Sequence, residues 1–262
     1  MRLLEYLRES VASVLFVRTC AVCGCRVEGE KDGTVDRYVC RRCMAILPRT
    51  EQFRLRNNRL EDLFFKNQAF VRAAAFLFYH GDDNTMLPSM PQFWKSGLFF
   101  RGQSDRLNMV QTLVHRFKYM QQPEIAYELG IKAAKEGCLT DFFDGIDVII
   151  PVPLHPRRLR KRGYNQSEYI ARALSDVTKV PVATGYLVRK RDNPQQAMKS
   201  GAEREENVRD LFKVLYPEEL FRKHILLVDD VVTTGSTIRS CMDALKDCYG
   251  CSISVFTLAL AR

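Results

Sequence analysis

Residues 224–246, HILLVDDVVTTGSTIRSCMDALK, constrain the fold more than any other stretch of the chain. Ile225, Leu226, Leu227 and Val228 form an unbroken apolar run, the pattern of a strand buried on both faces. Two acids follow, Asp229 and Asp230, then Val231 and Val232, then the small polar loop Thr233, Thr234, Gly235, Ser236 and Thr237. Beyond it Ile238, Met242 and Leu245 recur at helical spacing, so the loop leads into a helix N-terminus. Backbone N–H groups without intrahelical partners and the positive end of the helix dipole converge there, which suits a phosphate. Gly235 permits a tight turn and close approach of the anion, and the four hydroxyls of the loop add donors.

The acids narrow the ligand. Carboxylates beside a phosphate cradle repel the phosphate and need another object to hold; a ribose diol, with two hydroxyl donors, fits. A phosphate-loop NTPase also ends a strand in acids, but no G-x-x-x-x-G-K-[ST] occurs in the chain. The G-x-G-x-x-G of a dinucleotide fold is absent too. A plain strand–turn–helix with a Thr or Ser cap is the remaining alternative. With the apolar run, acid pair and TTGST in this order, the stretch resembles the phosphoribosyl pyrophosphate signature of the type I phosphoribosyltransferases.

At 262 residues the chain holds one sizeable α/β domain and a small appendage. No apolar run approaches the ~18–20 residues of a membrane helix. Glu5, Arg8 and Glu9 interrupt the N-terminus and argue against a signal peptide. Leu3, Leu4, Leu7, Val11, Val14 and Leu15 share one helical face, expected to pack on the body, with membrane-surface binding as the alternative. Nine cysteines suggest a reducing, cytoplasmic setting, with thiols kept for metal or packing. The net charge of +9 favours an anionic partner. Arg157, Arg158, Arg160, Lys161 and Arg162 form one basic cluster, and Arg189, Lys190 and Arg191 another.

Cys20-x-x-Cys23 and Cys40-x-x-Cys43 stand sixteen residues apart, the spacing of a four-cysteine Zn²⁺ site. Four thiolates would close the coordination sphere, so the zinc is expected to be structural; Cys25 is a competing ligand or a spare thiol. The polar, basic stretch 47–67 reads as a link to the body. The chain then predicts a strand over 70–79, an irregular insert over 80–108, and helices over 109–119 and from 123 to about 136. A strand over 148–150 ends in PVPLHP and a basic, mobile arm, after which Asn165 or Ser167 caps a helix packed through Ile170, Ala173 and Leu174. A strand over 186–189 leads into a charged segment with a helix near 202–211, expected to close over ligand. The last strand is expected over 252–259.

Together the two C-x-x-C pairs, HRFKY (115–119), PVPLHPRRLRKRGYNQ (151–166), RKRDNPQQ with Arg204 and Asn207, and VDDVVTTGST (228–237) resemble the ComF family. That resemblance implies a type I phosphoribosyltransferase fold: an α/β domain with a parallel sheet and helices on both faces, plus a zinc knuckle. The division is then 1–60 for the N-terminal helix and zinc-ribbon-like module and 61–262 for the phosphoribosyltransferase-like domain. The family implies a bacterial cytoplasmic setting and, in many members, a link to DNA uptake; the insert of roughly thirty residues departs from its pattern.

The expected activity is transfer of phosphoribosyl from phosphoribosyl pyrophosphate (PRPP), with Mg²⁺, to an unidentified acceptor. Asp229 and Asp230 would be catalytic and hold the ribose, and residues 233–237 would hold the 5-phosphate. Pro153, Arg157, Arg158, Arg162, Arg189, Gln195 and Arg204 would serve pyrophosphate and the closing loop. The alternative is a non-catalytic PRPP sensor, or a single-stranded-DNA binder using Arg26, Arg37, Arg41, Arg42 and the arm over 157–162.

Overall fold

A computed structural model of the chain describes residues 18–27, 37–79, 109–190 and 211–261. The elements in order are α1 (Arg41–Ile46), β1 (Phe70–Tyr79), α2 (Met109–Tyr119), α3 (Glu124–Gly137), β2 (Val148–Pro151), α4 (Pro156–Arg162) and α5 (Gln166–Thr178). There follow β3 (Leu187–Arg189), β4 (Phe212–Val214), β5 (His224–Val232), α6 (Ser236–Ala244) and β6 (Ser252–Ala261). The N-terminal segment, the 80–108 insert, and the helix expected near 202–211 apart from Leu211, lie outside the described residues.

β1, β6, β5 and β2 form a parallel sheet in that order. Alternation along β5 divides the core: Leu226 and Val228 face one side, Ile225 and Leu227 the other. On the first side pack α2, α3 and α5, through residues such as Leu113, Phe117, Leu129 and Ile170. On the second pack Ile238 and Met242 of α6, together with Leu187 and Phe212. Both faces are covered, as a parallel sheet requires. The chain leaving β2 enters α5 on the first face, whereas the chain leaving β5 enters α6 on the second. The crevice between the carboxyl ends of β2 and β5 is therefore the topological switch point, where open α/β sheets place ligands.

Two expectations are corrected. The basic arm is a helix, not a mobile coil. His155 accepts from Arg157 N–H at its start, Pro156 sits in the first turn, and Gly163 closes it with φ 85°. The 47–67 stretch is not a loose link: it covers the outer edge of β1. Phe78 N–H donates to Pro48 O at 2.9 Å, and Ala75 and Ala73 N–H donate to Gln52 Oε1 and Glu61 Oε1 at 2.9 and 3.1 Å. Buried polar side chains thus satisfy an edge that would otherwise be exposed for pairing. The strand expected over 186–189 is present as Leu187–Arg189 and pairs antiparallel with Phe212–Val214 in a separate two-stranded ribbon.

The cysteine segment shares the core of the first face, where Cys43, Met44 and Val39 are buried with Leu129. One side chain ties it down: buried Glu128 of α3 accepts from the backbone N–H groups of Arg37, Tyr38 and Val39 at 3.0, 2.8 and 3.2 Å. Glu128→Ala strands those donors and should lower unfolding stability by roughly 2–4 kcal/mol. Glu136→Ala breaks only a half-exposed pair with Arg49, so its cost should stay under about 1 kcal/mol. Equal losses of stability in urea titrations of the two variants would contradict the anchoring role.

Candidate functional site

β5 continues through the acids, so Asp229 and Asp230 stand side by side at the carboxyl end of a central strand, at the switch point. Asp229 Oδ1 accepts from Asp230 N–H at 2.8 Å and from Ser167 Oγ, at the start of α5, at 3.2 Å. Asp230 is buried, and its Oδ1 meets Lys118 Nζ at the end of α2 at 2.8 Å. Burial, then the neighbouring charge of Asp230, push the Asp229 carboxyl up to about 7. Near neutrality the Asp229 carboxyl therefore exchanges a proton readily.

Beside it the strand turns into α6. Gly235 adopts φ 73°, and a Cβ there would meet the Phe64 ring at 3.0 Å and Leu63 at 3.2 Å, so both conformation and space call for glycine. α6 has no side-chain cap, and Thr233, Thr234 and Ser236 are exposed while Thr237 is half-buried. The loop thus presents hydroxyls and first-turn N–H groups together, as an anion site needs.

The basic residues occupy the opposite wall of the crevice. Val152 N–H donates to Val228 O at 2.8 Å and Asn165 Nδ2 to Val152 O at 3.0 Å, fixing the half-buried Pro153 turn beside β5. Arg158 and Arg162 of α4 line a cleft of about 450 Å³ with Lys118, Tyr119, Lys161 and Tyr164, and no carboxylate lines it among the described residues. Lys118 belongs to both this cleft and the acid pair. Arg157 is exposed on the same short helix. Arg189 lies on the two-stranded ribbon, its guanidinium 5.5 Å from the Phe212 ring centroid. Gln195 and Arg204 lie outside the described residues.

Lys118 and Ser167 join the site without having been singled out for it. HRFKY marked Lys118 only as part of a motif, and Ser167 was weighed only as a helix cap. Neither contact has a sequence period, because each is made between elements far apart in the chain.

The thiols of Cys20, Cys23, Cys40 and Cys43 lie within 4.8 Å of one another, and Cys25 is outside the cluster. Cys23 and Cys40 Sγ are 3.7 Å apart, against about 3.8 Å for two sulfurs on tetrahedral zinc with bonds near 2.3 Å. Val22 and Cys40 N–H donate to Cys20 Sγ, as they would to a thiolate. Hydrogen bonding from Cys43 holds Cys20 down at about 4, while the same bond and burial push Cys43 far up. The donor set, all sulfur and clustered, could hold a zinc ion.

A family profile described as "Phosphoribosyl transferase domain" matches residues 159–262. Competence protein F of Haemophilus influenzae is 31% identical over 153 residues, covering 57% of this chain and 67% of that protein. DNA utilization protein YhgH of Salmonella typhi is 30% identical over 158 residues, covering 59% and 69%. Among solved structures, a glutamine phosphoribosylpyrophosphate amidotransferase from B. subtilis aligns with a TM-score of 0.37 at 20% identity, over 54% of this chain and 30% of that one. A purine phosphoribosyltransferase from Pyrococcus horikoshii aligns with a TM-score of 0.30 at 15% identity, over 55% and 86%. By its alignment with those competence and DNA-utilization proteins, and with a phosphoribosyltransferase domain after its cysteine cluster, this chain belongs to the ComF family.

Proposed function

We propose that the protein binds PRPP and transfers its phosphoribosyl group to an acceptor, releasing pyrophosphate. The observation carrying this reading is the pairing of Asp229 and Asp230 with a glycine-turned helix N-terminus on one side and a basic cleft that shares Lys118 with them on the other. The 5-phosphate takes residues 233–237, and the ribose hydroxyls donate to Asp229 and Asp230. The Pro153 turn with Arg157, Arg158 and Arg162 receives pyrophosphate; Arg189, with Gln195 and Arg204 beyond it, serves the closing segment.

The C1–oxygen bond to pyrophosphate breaks with its electron pair leaving on oxygen, and the acceptor's lone pair forms the new bond to C1. The carboxylates oppose the positive charge that develops on the ribose, and the arginines neutralise the leaving group, so positioned charge supplies the catalysis. Mg²⁺ bound to donor oxygens beside Asp229 and Asp230 would supply further neutralisation of pyrophosphate. Zinc in the cysteine cluster would be structural, and the free thiols suit the cytoplasm.

A second reading is favoured by α4, which has no buried residue and carries five cations: PRPP sensing without turnover, or single-stranded DNA lying along α4 and Arg37, Arg41 and Arg42. The relatives named for competence and DNA utilization support a role near DNA uptake.

Incubation with PRPP, Mg²⁺ and a panel of bases and amines should release pyrophosphate; PRPP binding without release with any acceptor would favour the sensor. Asp229→Asn with Asp230→Asn should weaken PRPP binding at least about 100-fold by calorimetry, since two charge-assisted hydrogen bonds are lost. Unchanged affinity in a folded double variant would refute the ribose assignment.

The acid pair also sets a pH dependence. Asp229 holds its proton below about 7, and the carboxylate is the form that accepts ribose hydroxyls, so PRPP affinity should rise as pH passes upward through 7. Lys118 draws the Asp229 value down, so Lys118→Met should move the rise to higher pH. A flat affinity between pH 6 and 8.5 in the unaltered protein would contradict this assignment.

Purified protein should contain about one zinc per chain by atomic absorption. Cys20→Ser or Cys43→Ser should lose it and unfold at lower temperature, because metal binding and folding of such a segment are coupled. Full zinc content in both variants would rule the site out.

A further inference from the structure

A second cavity borders the phosphate-loop helix, and neither acid of the pair lines it. Gly235 rests on Leu63 and Phe64, and Arg239 Nη1 donates to Leu63 O at 3.3 Å, so the turn around the 3-10 helix Glu61–Leu63 leans on the start of α6. Beyond that contact the two walls part around a cavity of about 540 Å³. Arg239, Asp243 and Lys246 line one wall, spaced i, i+4 and i+7 so that they share a face. Asp62, Phe65 and Lys66 line the other, and none of the crevice residues described above is among the lining.

The chemistry of these walls is specific. Phe65 is 67% exposed, an unusual position for a phenylalanine, and its ring stands at the cavity with Lys66 Nζ 5.9 Å from its centroid. Lys246 is held by Asp243 at 2.5 Å, but Lys66 and the remaining guanidinium N–H groups of Arg239 meet no carboxylate among the described residues. Asp62 is exposed on the same wall. A flat apolar face, two uncommitted cations and a carboxylate acceptor in one cavity match a planar ring, a phosphate and a sugar hydroxyl. We propose that this cavity binds a nucleoside 5′-phosphate, with the base on Phe65, the phosphate on Lys66 and Arg239, and a ribose hydroxyl donating to Asp62. The site is separate from the PRPP crevice, and its wall is the helix whose N-terminus forms the phosphate loop.

AMP is the probe, titrated into the full chain by calorimetry. AMP should bind, and adenosine or inorganic phosphate alone should bind more weakly, since each satisfies only part of the cavity. Phe65→Ala with Lys66→Ala should weaken AMP at least roughly tenfold, a loss consistent with removing one stacking face and one charge contact. Both side chains are exposed, so a circular-dichroism melt should match the parent. Asp229→Asn with Asp230→Asn should leave AMP affinity unchanged while abolishing PRPP binding, which separates failure of this proposal from failure of the PRPP reading. Absence of AMP binding, undiminished binding in the Phe65/Lys66 variant, or loss of AMP in the Asp229/Asp230 variant would each overturn the second site.

Discussion

Two carboxylates crowded at the end of one central strand are a constraint the surrounding structure must answer. Neither is well solvated, and the charge of Asp230 raises the cost of ionising Asp229. Lys118 reaches from the first face to Asp230, and Ser167 and a backbone N–H hold Asp229 Oδ1. These partners do not cancel the strain. Asp229 binds a proton more tightly folded than unfolded, with its value raised from 3.8 to about 7, so the folded state takes up protons across that window. Stability at this residue is therefore fully present in acid and lost as pH rises from about 4 toward 7. A pair that costs stability at working pH is expected where ligand hydroxyls, and not the fold, are to satisfy it.

The sheet supplies the rigidity that such a pair needs. β5 is paired on both sides, by β6 and by β2, and Thr257 of β6 donates to Asp230 O at 3.0 Å. One edge of the sheet lies two strands away, at β1, where side chains of 47–67 close it. The same stretch supports the loop over 233–237, since Leu63 and Phe64 are what a side chain at Gly235 would meet. On the other face Glu128 fastens the cysteine segment to α3, which packs against α5 and thereby behind Ser167. Cysteine cluster, edge cover and site are thus linked through packed side chains, so damage to the cluster should reach the crevice through packing.

The parts of this arrangement that the sequence made legible are those written in apolar patterns. β1, β2, β5, β6 and the long helices have runs or periods that survive without tertiary context. The 47–67 cover is hidden in the sequence because what it buries is polar: Thr50, Gln52, Asn58 and Glu61 are buried to satisfy β1, and a polar composition otherwise signals solvent. α4 resembles coil in sequence because it has no apolar face at all, although its boundary signals, His155-Pro156 and Gly163, stand in the sequence. The ribbon partner β4 is three residues long, too short for any period. At the site, the acids and the glycine loop were legible as a local motif. Lys118 was not, because its role comes from α2 ending where β5 ends.

α4 is the element whose existence asks most of the electrostatics. Its interior offers no buried contact, and its five cations lie within seven residues, so neighbours one turn apart repel. What favours the helix is local: the His155 cap, Pro156 with its preset φ, Gly163 in the left-handed conformation, and cations near the C-terminal end of the dipole. Such terms are each worth about 1 kcal/mol or less, enough to hold a short helix only while it stays moored at its ends. The mooring is visible: Val152 is bonded to β5 before the helix, and after it Tyr164 donates to Phe117 O at 2.6 Å. A cationic helix fixed at both ends beside Asp230, with Arg162 over the Tyr119 ring at 5.2 Å, keeps its charges close together in advance of any ligand. An anion entering the cleft would relieve part of that repulsion, drawn by charge already assembled and not by charge gathered on arrival.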